Sequence, residues 1–160
     1  MRNVFWLRPG VIGGRSGPNQ DIWSPRDLAA GGIGAVLSVN GAELVRPDEL
    51  AAAGIDYCHV PLSDAAPPQP GDLEICISAL PRALAFVASS IERRRGVLVH
   101  CRSGKDRTGL FLAYYLCMTE GLTPSDAIRE LKRVRPIALT AEGWESFSYQ
   151  VLGEMGFVDP

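Results

Sequence analysis

One stretch, Val97-Leu98-Val99-His100-Cys101-Arg102-Ser103-Gly104-Lys105-Asp106-Arg107-Thr108-Gly109, holds a thiol, a guanidinium six residues further on and, next to it, a hydroxyl. A free thiol ionises near pH ~8.5, but beside cations at a helix N-terminus its pKa falls by several units. Cys101 is therefore expected to be largely thiolate at neutral pH, a strong nucleophile toward phosphorus. Arg107 offers a planar fork that grips two phosphate oxygens at once, which a lysine cannot do. Thr108 supplies a hydroxyl that could bond the cysteine sulfur and steady it as a leaving group in a second step.

These side chains need a strand, a curled loop and a helix to present them. Val97 to Val99 is short, β-branched and preceded by Gly96, which reads as a buried strand. Leu110 to Met118 is apolar and of helical length, so Arg107 and Thr108 fall at a helix N-terminus, where unpaired N–H groups and the positive dipole end point outward. Between strand and helix, Gly104 lets the backbone curl, and Arg102, Ser103, Gly104, Lys105 and Asp106 can turn successive N–H groups toward one point. That is a cradle for a tetrahedral oxyanion. An inert buried thiol is the competing reading, and burying it among Arg102, Lys105 and Arg107 would be expensive.

The remaining chain reads as alternating strands and helices. Val4 to Leu7 and Val11-Ile12, split by Pro9-Gly10, suggest an edge hairpin. Ser24-Pro25-Arg26-Asp27 starts a helix that Gly31-Gly32 ends. Ala35 to Val39 is a strand, Pro47 to Ala53 a helix stopped by Gly54, and Ile55 to Val60 the next strand, with His59 expected inside the core. Leu73, Cys76, Ile77, Leu80, Leu84, Val87 and Ile91 keep helical spacing straight through Pro81, implying one kinked helix that ends in a solvated Arg93-Arg94-Arg95 cap. Thr123 caps a helix closed by Arg135-Pro136, with Arg129, Lys132 and Arg133 on its wet face. Thr140 is expected to cap the last helix, on which Trp144 reads as a core anchor. The pattern predicts an α/β fold, a single domain over 1–160 with a central, mainly parallel twisted sheet of four or five strands and helices on both faces.

From Pro61 to Asp72 the sequence turns rich in proline, neither strand nor helix. This loop leaves the same end of the sheet as the Cys101 loop, the end where open α/β sheets bind ligands. Asp64 on it is the candidate to protonate a leaving oxygen, a role that requires hydrogen-bond reach. Asp72 competes, although it sits where a helix cap is wanted, and Asp64 in a plain Asx-turn is the bland alternative.

The string His-Cys-x5-Arg-Thr-Gly, with a strand before and a helix start after, resembles the signature of the cysteine-based protein tyrosine phosphatases. The chain length resembles the small dual-specificity group, and CRSGKDRTG is similar to the Gly-Lys loops of phosphatase-and-tensin-homologue-type phosphoinositide phosphatases and of bacterial phosphatases with mixed tyrosine and lipid activity. The resemblance implies a cysteinyl-phosphate route through Cys101, Arg107, Asp64 and Thr108. It further implies that His100 orients the loop and helps depress the thiol pKa, and that the mechanism needs no metal or other cofactor. The segment Pro61 to Pro68 is similar to the acid loop of such enzymes, in which an aspartate precedes a proline pair. Small dual-specificity members commonly carry, near the last helix, a glutamine that places the hydrolytic water, and Trp144 stands there instead.

Composition limits the alternatives. The 160-residue chain is 46% hydrophobic with net charge −2, so the overall field implies neither nucleic acid nor a membrane surface. Four cysteines without metal spacing, an N-terminus too short in apolar residues for a signal peptide, and no run judged of membrane-spanning length lead us to expect a cytoplasmic protein with no transmembrane segment. The expected substrate is a phosphorylated protein; Arg102 and Lys105 on the rim would also suit a phosphoinositide. Two other readings are a rhodanese-type sulfurtransferase, whose loop also opens Cys-Arg-Ser-Gly, and a silent phosphate-binding module, which would require neither the thiol nor the acid.

Overall fold

The computed structural model describes residues Met1–Pro160. Its elements in order are β1 (Phe5–Arg8), β2 (Ile12–Ser16), α1 (Pro25–Ala30), β3 (Ile33–Ser38), α2 (Pro47–Ala52), β4 (Asp56–His59), α3 (Asp72–Glu92), β5 (Gly96–Cys101), α4 (Arg107–Glu120), α5 (Pro124–Val134) and α6 (Trp144–Glu154). They form one five-stranded sheet in the order β1-β2-β5-β3-β4, parallel throughout except for β1, which runs antiparallel to β2 at one edge.

Period-two alternation on the central strands divides the core in two. On β5, Val97, Val99 and Cys101 join the large cluster with Ala35 and Leu37 of β3 and the inner faces of α3, α4, α5 and α6. Leu98 and Val36 point the other way, into a smaller cluster completed by Leu28 of α1 and Leu50 of α2. The next inward residues on that second face are polar, His100 and Ser38, and both are buried. One alternation therefore sends the thiol to one side of the sheet and its supporting histidine to the other.

Several details differ from the sequence reading. Of the two strands expected as an edge hairpin only β1 lies at the edge; β2 is interior and runs on to Arg15 beyond the point where the apolar pattern stops, by way of Gly13-Gly14. Side chains cannot stand there because β1 lies close: a Cβ on Gly14 would meet Phe5 Cζ at 2.6 Å and Thr108 Cγ2 at 3.0 Å. The α3 helix does run unbroken through Pro81, but its N-cap is Gly71; Asp72 is the first helical residue, and its carboxylate accepts from Gln69 N at 2.6 Å. The cap of α6 is Gly143 and not Thr140, whose hydroxyl donates to Ile137 O.

The Arg93-Arg94-Arg95 cap is largely solvent-exposed, as expected, and Arg93 and Arg95 also pair with Asp56 of β4. Arg129, Lys132 and Arg133 are each tied to a carboxylate, on Asp126, Glu145 and Glu130. His59 is exposed at the end of β4, outside the core. By length and hydropathy alone α3 is apolar enough to cross a membrane, contrary to the sequence reading. Here Cys76, Ala79, Leu80, Ala83 and Val87 on it are buried against the large cluster, and Arg82 and Glu92 are exposed.

Candidate active site

The loop between β5 and α4 is held open by its carbonyls. Cys101 O accepts from His100 Nδ1 (3.0 Å), Arg102 O from Gly17 N (3.0 Å), Ser103 O and Gly104 O from the Arg135 guanidinium (2.8 and 3.2 Å), and Lys105 O from Gly109 N and Leu139 N. Asp106 O accepts from Leu110 N, the first full turn of α4. With every carbonyl bonded away, the backbone N–H groups from Arg102 to Thr108 have no partner within the chain. Consecutive free N–H groups at a helix start form an anion nest, deepened by the helix dipole.

Gly104 makes the curl possible. Its φ is +66°, and a Cβ there would overlap the carbonyl group of Arg15 and lie 2.7 Å from Ser16 N. Gly41, at φ +64°, lets the neighbouring loop pass close to the nest, since a Cβ there would lie 2.8 Å from Arg102 N. Ser103 Oγ donates to Gln20 Oε1, while the buried Asp106 carboxylate turns away from the nest to accept from Ala141 N at 3.1 Å. Of the residues expected to bind substrate, Asp106 thus contributes at most its backbone, because its side chain supports the approach to α6. Arg102 is exposed and Lys105 half-buried at the rim.

Cys101 ends β5, buried where the nest begins. His100 is fully enclosed, and desolvation pushes its pKa down to about 4, so it is uncharged at neutral pH. Cys101 O can only accept, so Nδ1 carries the ring proton; Nε2 then accepts from Ser38 Oγ, whose oxygen accepts in turn from Tyr57 OH at 2.7 Å. Any influence of His100 on the thiol passes through this hydrogen bond and not through a positive charge. Thr108 Oγ1 is buried and has no hydrogen-bond partner, the Cys101 sulfur included.

Arg107 heads α4, and its Nε donates to Ser63 O at 2.9 Å. Its guanidinium carbon lies 4.7 Å from the Trp144 ring centroid, a cation–π stack. Trp144 is fully buried, and its indole N–H donates to Ala65 O at 2.9 Å. Arg107 and the first residue of α6 thus each hold the carbonyl of one of the two residues on either side of Asp64. Asp64 itself is exposed, on the wall of a cleft of about 620 Å³ that also includes Glu43, Tyr57, His59 and Asp72. Ser63 Oγ lies 3.6 Å from Cys76 Sγ, a further tie between the loop and α3.

The sequence reading missed Arg135. Taken as the end of α5, it reaches back across the fold to bind two carbonyls of the nest, and it stacks on Phe5 with its guanidinium carbon 5.3 Å from the ring centroid. Burial lowers its pKa, with the nearby Cys101 acting in the opposite sense. Also missed was Arg15, a buried arginine inside β2 that binds Ser16 O and pairs with Asp21. A charged residue continuing a strand next to two glycines was the available signal, because such a residue must find partners. All four cysteines are free, and no three His, Cys, Asp or Glu side chains gather at metal-binding spacing.

The family profile described as "Dual specificity phosphatase, catalytic domain" matches residues 18–148. Rat "Dual specificity protein phosphatase 12" is 32% identical over 150 residues, which is 92% of this chain and 41% of that protein. The chain therefore spans about two fifths of the length of this relative and of its mouse and human counterparts. Arabidopsis thaliana "Phosphatidylglycerophosphate phosphatase PTPMT1" is 27% identical over 100 residues, covering 62% of this chain and 26% of that one. Among solved structures, "Tk-PTP in the active form" superposes with a TM-score of 0.77 at 22% identity, covering 96% of both chains, a likeness of fold.

Proposed function

Because the chain belongs to the dual specificity phosphatase catalytic domain family, we propose that it hydrolyses phosphate monoesters on protein, phosphotyrosine foremost, through a cysteinyl-phosphate. The observation that carries this reading is the nest: a run of N–H groups from Arg102 to Thr108 free of partners within the chain, directly following Cys101 at the end of β5 and leading into Arg107 at the start of α4. A tetrahedral dianion suits such a run of donors, and the Cys101 sulfur next to it is the nucleophile this reading requires.

In the first step Cys101 Sγ bonds to phosphorus and the bond to the leaving oxygen breaks. The Asp64 carboxylic acid transfers its proton to that oxygen. In the second step a water oxygen bonds to phosphorus, the sulfur–phosphorus bond breaks, and the Asp64 carboxylate takes the proton the water loses. Arg107 holds equatorial oxygens throughout, and the Thr108 hydroxyl, free of other partners, is the donor available to the departing sulfur. Arg102 and Lys105 lend positive charge to the rim.

Cys101→Ser should abolish phosphate release from a small aryl phosphate, and vanadate should inhibit the native protein competitively. Retained turnover in Cys101→Ser would exclude the covalent route. Thiosulfate-to-cyanide transfer in the absence of phosphatase turnover would favour the sulfurtransferase, and phosphate binding without any turnover the silent module.

A phosphoinositide is the second substrate reading, supported by the rim cations Arg102 and Lys105. Against it stands Glu43 on the wall of the adjoining cleft, whose negative charge disfavours a polyanion. Phosphotyrosine peptides and phosphoinositides assayed at equal enzyme would separate the two. The four unpaired cysteines support a reducing, cytoplasmic setting.

A further inference from the structure

We infer that Trp144 is a positioning residue, holding Asp64 and Arg107 in one fixed relation through two different parts of the same side chain; this rests on the phosphatase reading above. The loop that carries Asp64 has almost no backbone support. Leu62 N still bonds to Val39 O, but no backbone–backbone bond is made by the N–H groups from Ser63 to Ala66, and Pro67 and Pro68 have none to give. What holds the carbonyls of the residues on either side of Asp64 is Arg107 Nε on Ser63 O and Trp144 Nε1 on Ala65 O, both at 2.9 Å.

The indole also forms the platform for Arg107, at 4.7 Å from its guanidinium carbon. Its N–H therefore holds the acid while its face holds the arginine. Neither contact is required of a core anchor, for which any large apolar side chain would serve. The start of α6 fits closely under the loop: Gly143 has φ +79°, and a Cβ there would meet Pro68 Cδ at 3.0 Å and Pro67 Cβ at 3.3 Å. Trp144 packs edge-on against Phe147 at 5.1 Å, which fixes the plane of the ring.

The two contacts can be separated by substitution. Trp144→Phe keeps an aromatic face beneath Arg107 and deletes the N–H that holds Ala65. With Asp64 less well placed, turnover of a poor leaving group such as phenyl phosphate should fall about tenfold, and that of 4-nitrophenyl phosphate less than about twofold. The alkaline fall of the pH profile, which reports the general acid, should flatten. Trp144→Leu removes the face as well and should weaken vanadate inhibition about fivefold, whereas Trp144→Phe should leave it within about twofold.

Gly143→Ala keeps the indole but pushes on Pro67 and Pro68 and strains the left-handed cap of α6, and should reproduce the leaving-group signature of Trp144→Phe; it carries the test if the tryptophan variants fail to fold. Equal losses on both substrates with an unchanged pH profile, or no loss at all, would reduce Trp144 to packing and overturn the inference. Absence of turnover in the native protein would instead overturn the phosphatase reading itself.

Discussion

At the scale of single residues, Thr108 and His100 show how burial and chemistry oppose each other. A buried hydroxyl without a partner carries a desolvation cost, so Thr108→Val, nearly the same shape, should leave stability unchanged or raise it by about 1 kcal/mol. The same change should slow breakdown of the phosphoenzyme, visible as a burst of aryl alcohol followed by slower turnover. Thermal unfolding and rapid-mixing kinetics on one preparation would check both halves.

His100 binds its proton near pH 6.5 when unfolded and at about 4 when folded. Between those values the unfolded chain holds the extra proton, so stability falls as pH falls, by about 3 kcal/mol in all once pH is below both. His100→Asn should remove that slope between pH 4 and 6.5 in urea titrations. Among the thiols, burial pushes Cys117 up to about 11 and raises Cys58 and Cys76 as well. On the phosphatase reading, iodoacetamide at neutral pH should label Cys101 first, and inorganic phosphate should protect it; mass spectrometry of the labelled peptides would reveal a different order.

At the scale of elements, the nest and the proline-rich loop depend on each other through Arg107. Asp64→Ala should cost about a hundredfold on phenyl phosphate and far less on 4-nitrophenyl phosphate, since a leaving oxygen that is already a weak base requires little protonation. Equal losses on the two substrates would remove Asp64 from the acid role and return attention to Asp72, whose carboxylate is engaged with Gln69 N. Gly104→Ala forces a side chain into the carbonyl group of Arg15 at a positive φ, so it should weaken vanadate binding more than it lowers the melting temperature. Strand, loop and helix here were legible because each carries its own local signal: β-branched residues on β5, a glycine at the curl and an apolar run in α4. The α6 start was misplaced because Thr140 has the side chain of a cap while Gly143 has the required left-handed backbone, which chain order does not display.

At the scale of the whole molecule, the sheet serves two cores with one strand. Leu98 on β5 belongs to the smaller cluster with only a few partners, so Leu98→Ala should destabilise by about 2–5 kcal/mol and disturb the neighbouring His100 face, measurable as a lowered urea midpoint.

The order of side chains along the chain by itself determined the α/β alternation, the thiol and guanidinium at the mouth of a helix, and a loop able to bring an acid. Each of those follows from short-range rules of propensity, capping and spacing. What only the tertiary structure decided were contacts between residues far apart in sequence. Arg135 returns to the nest carbonyls, Trp144 reaches Ala65 and Arg107, His59 is turned to solvent, and the Asp106 carboxylate is drawn off to Ala141. No local pattern encodes such meetings, because they depend on how strands β2, β3 and β5 align and on which loops that alignment sets side by side.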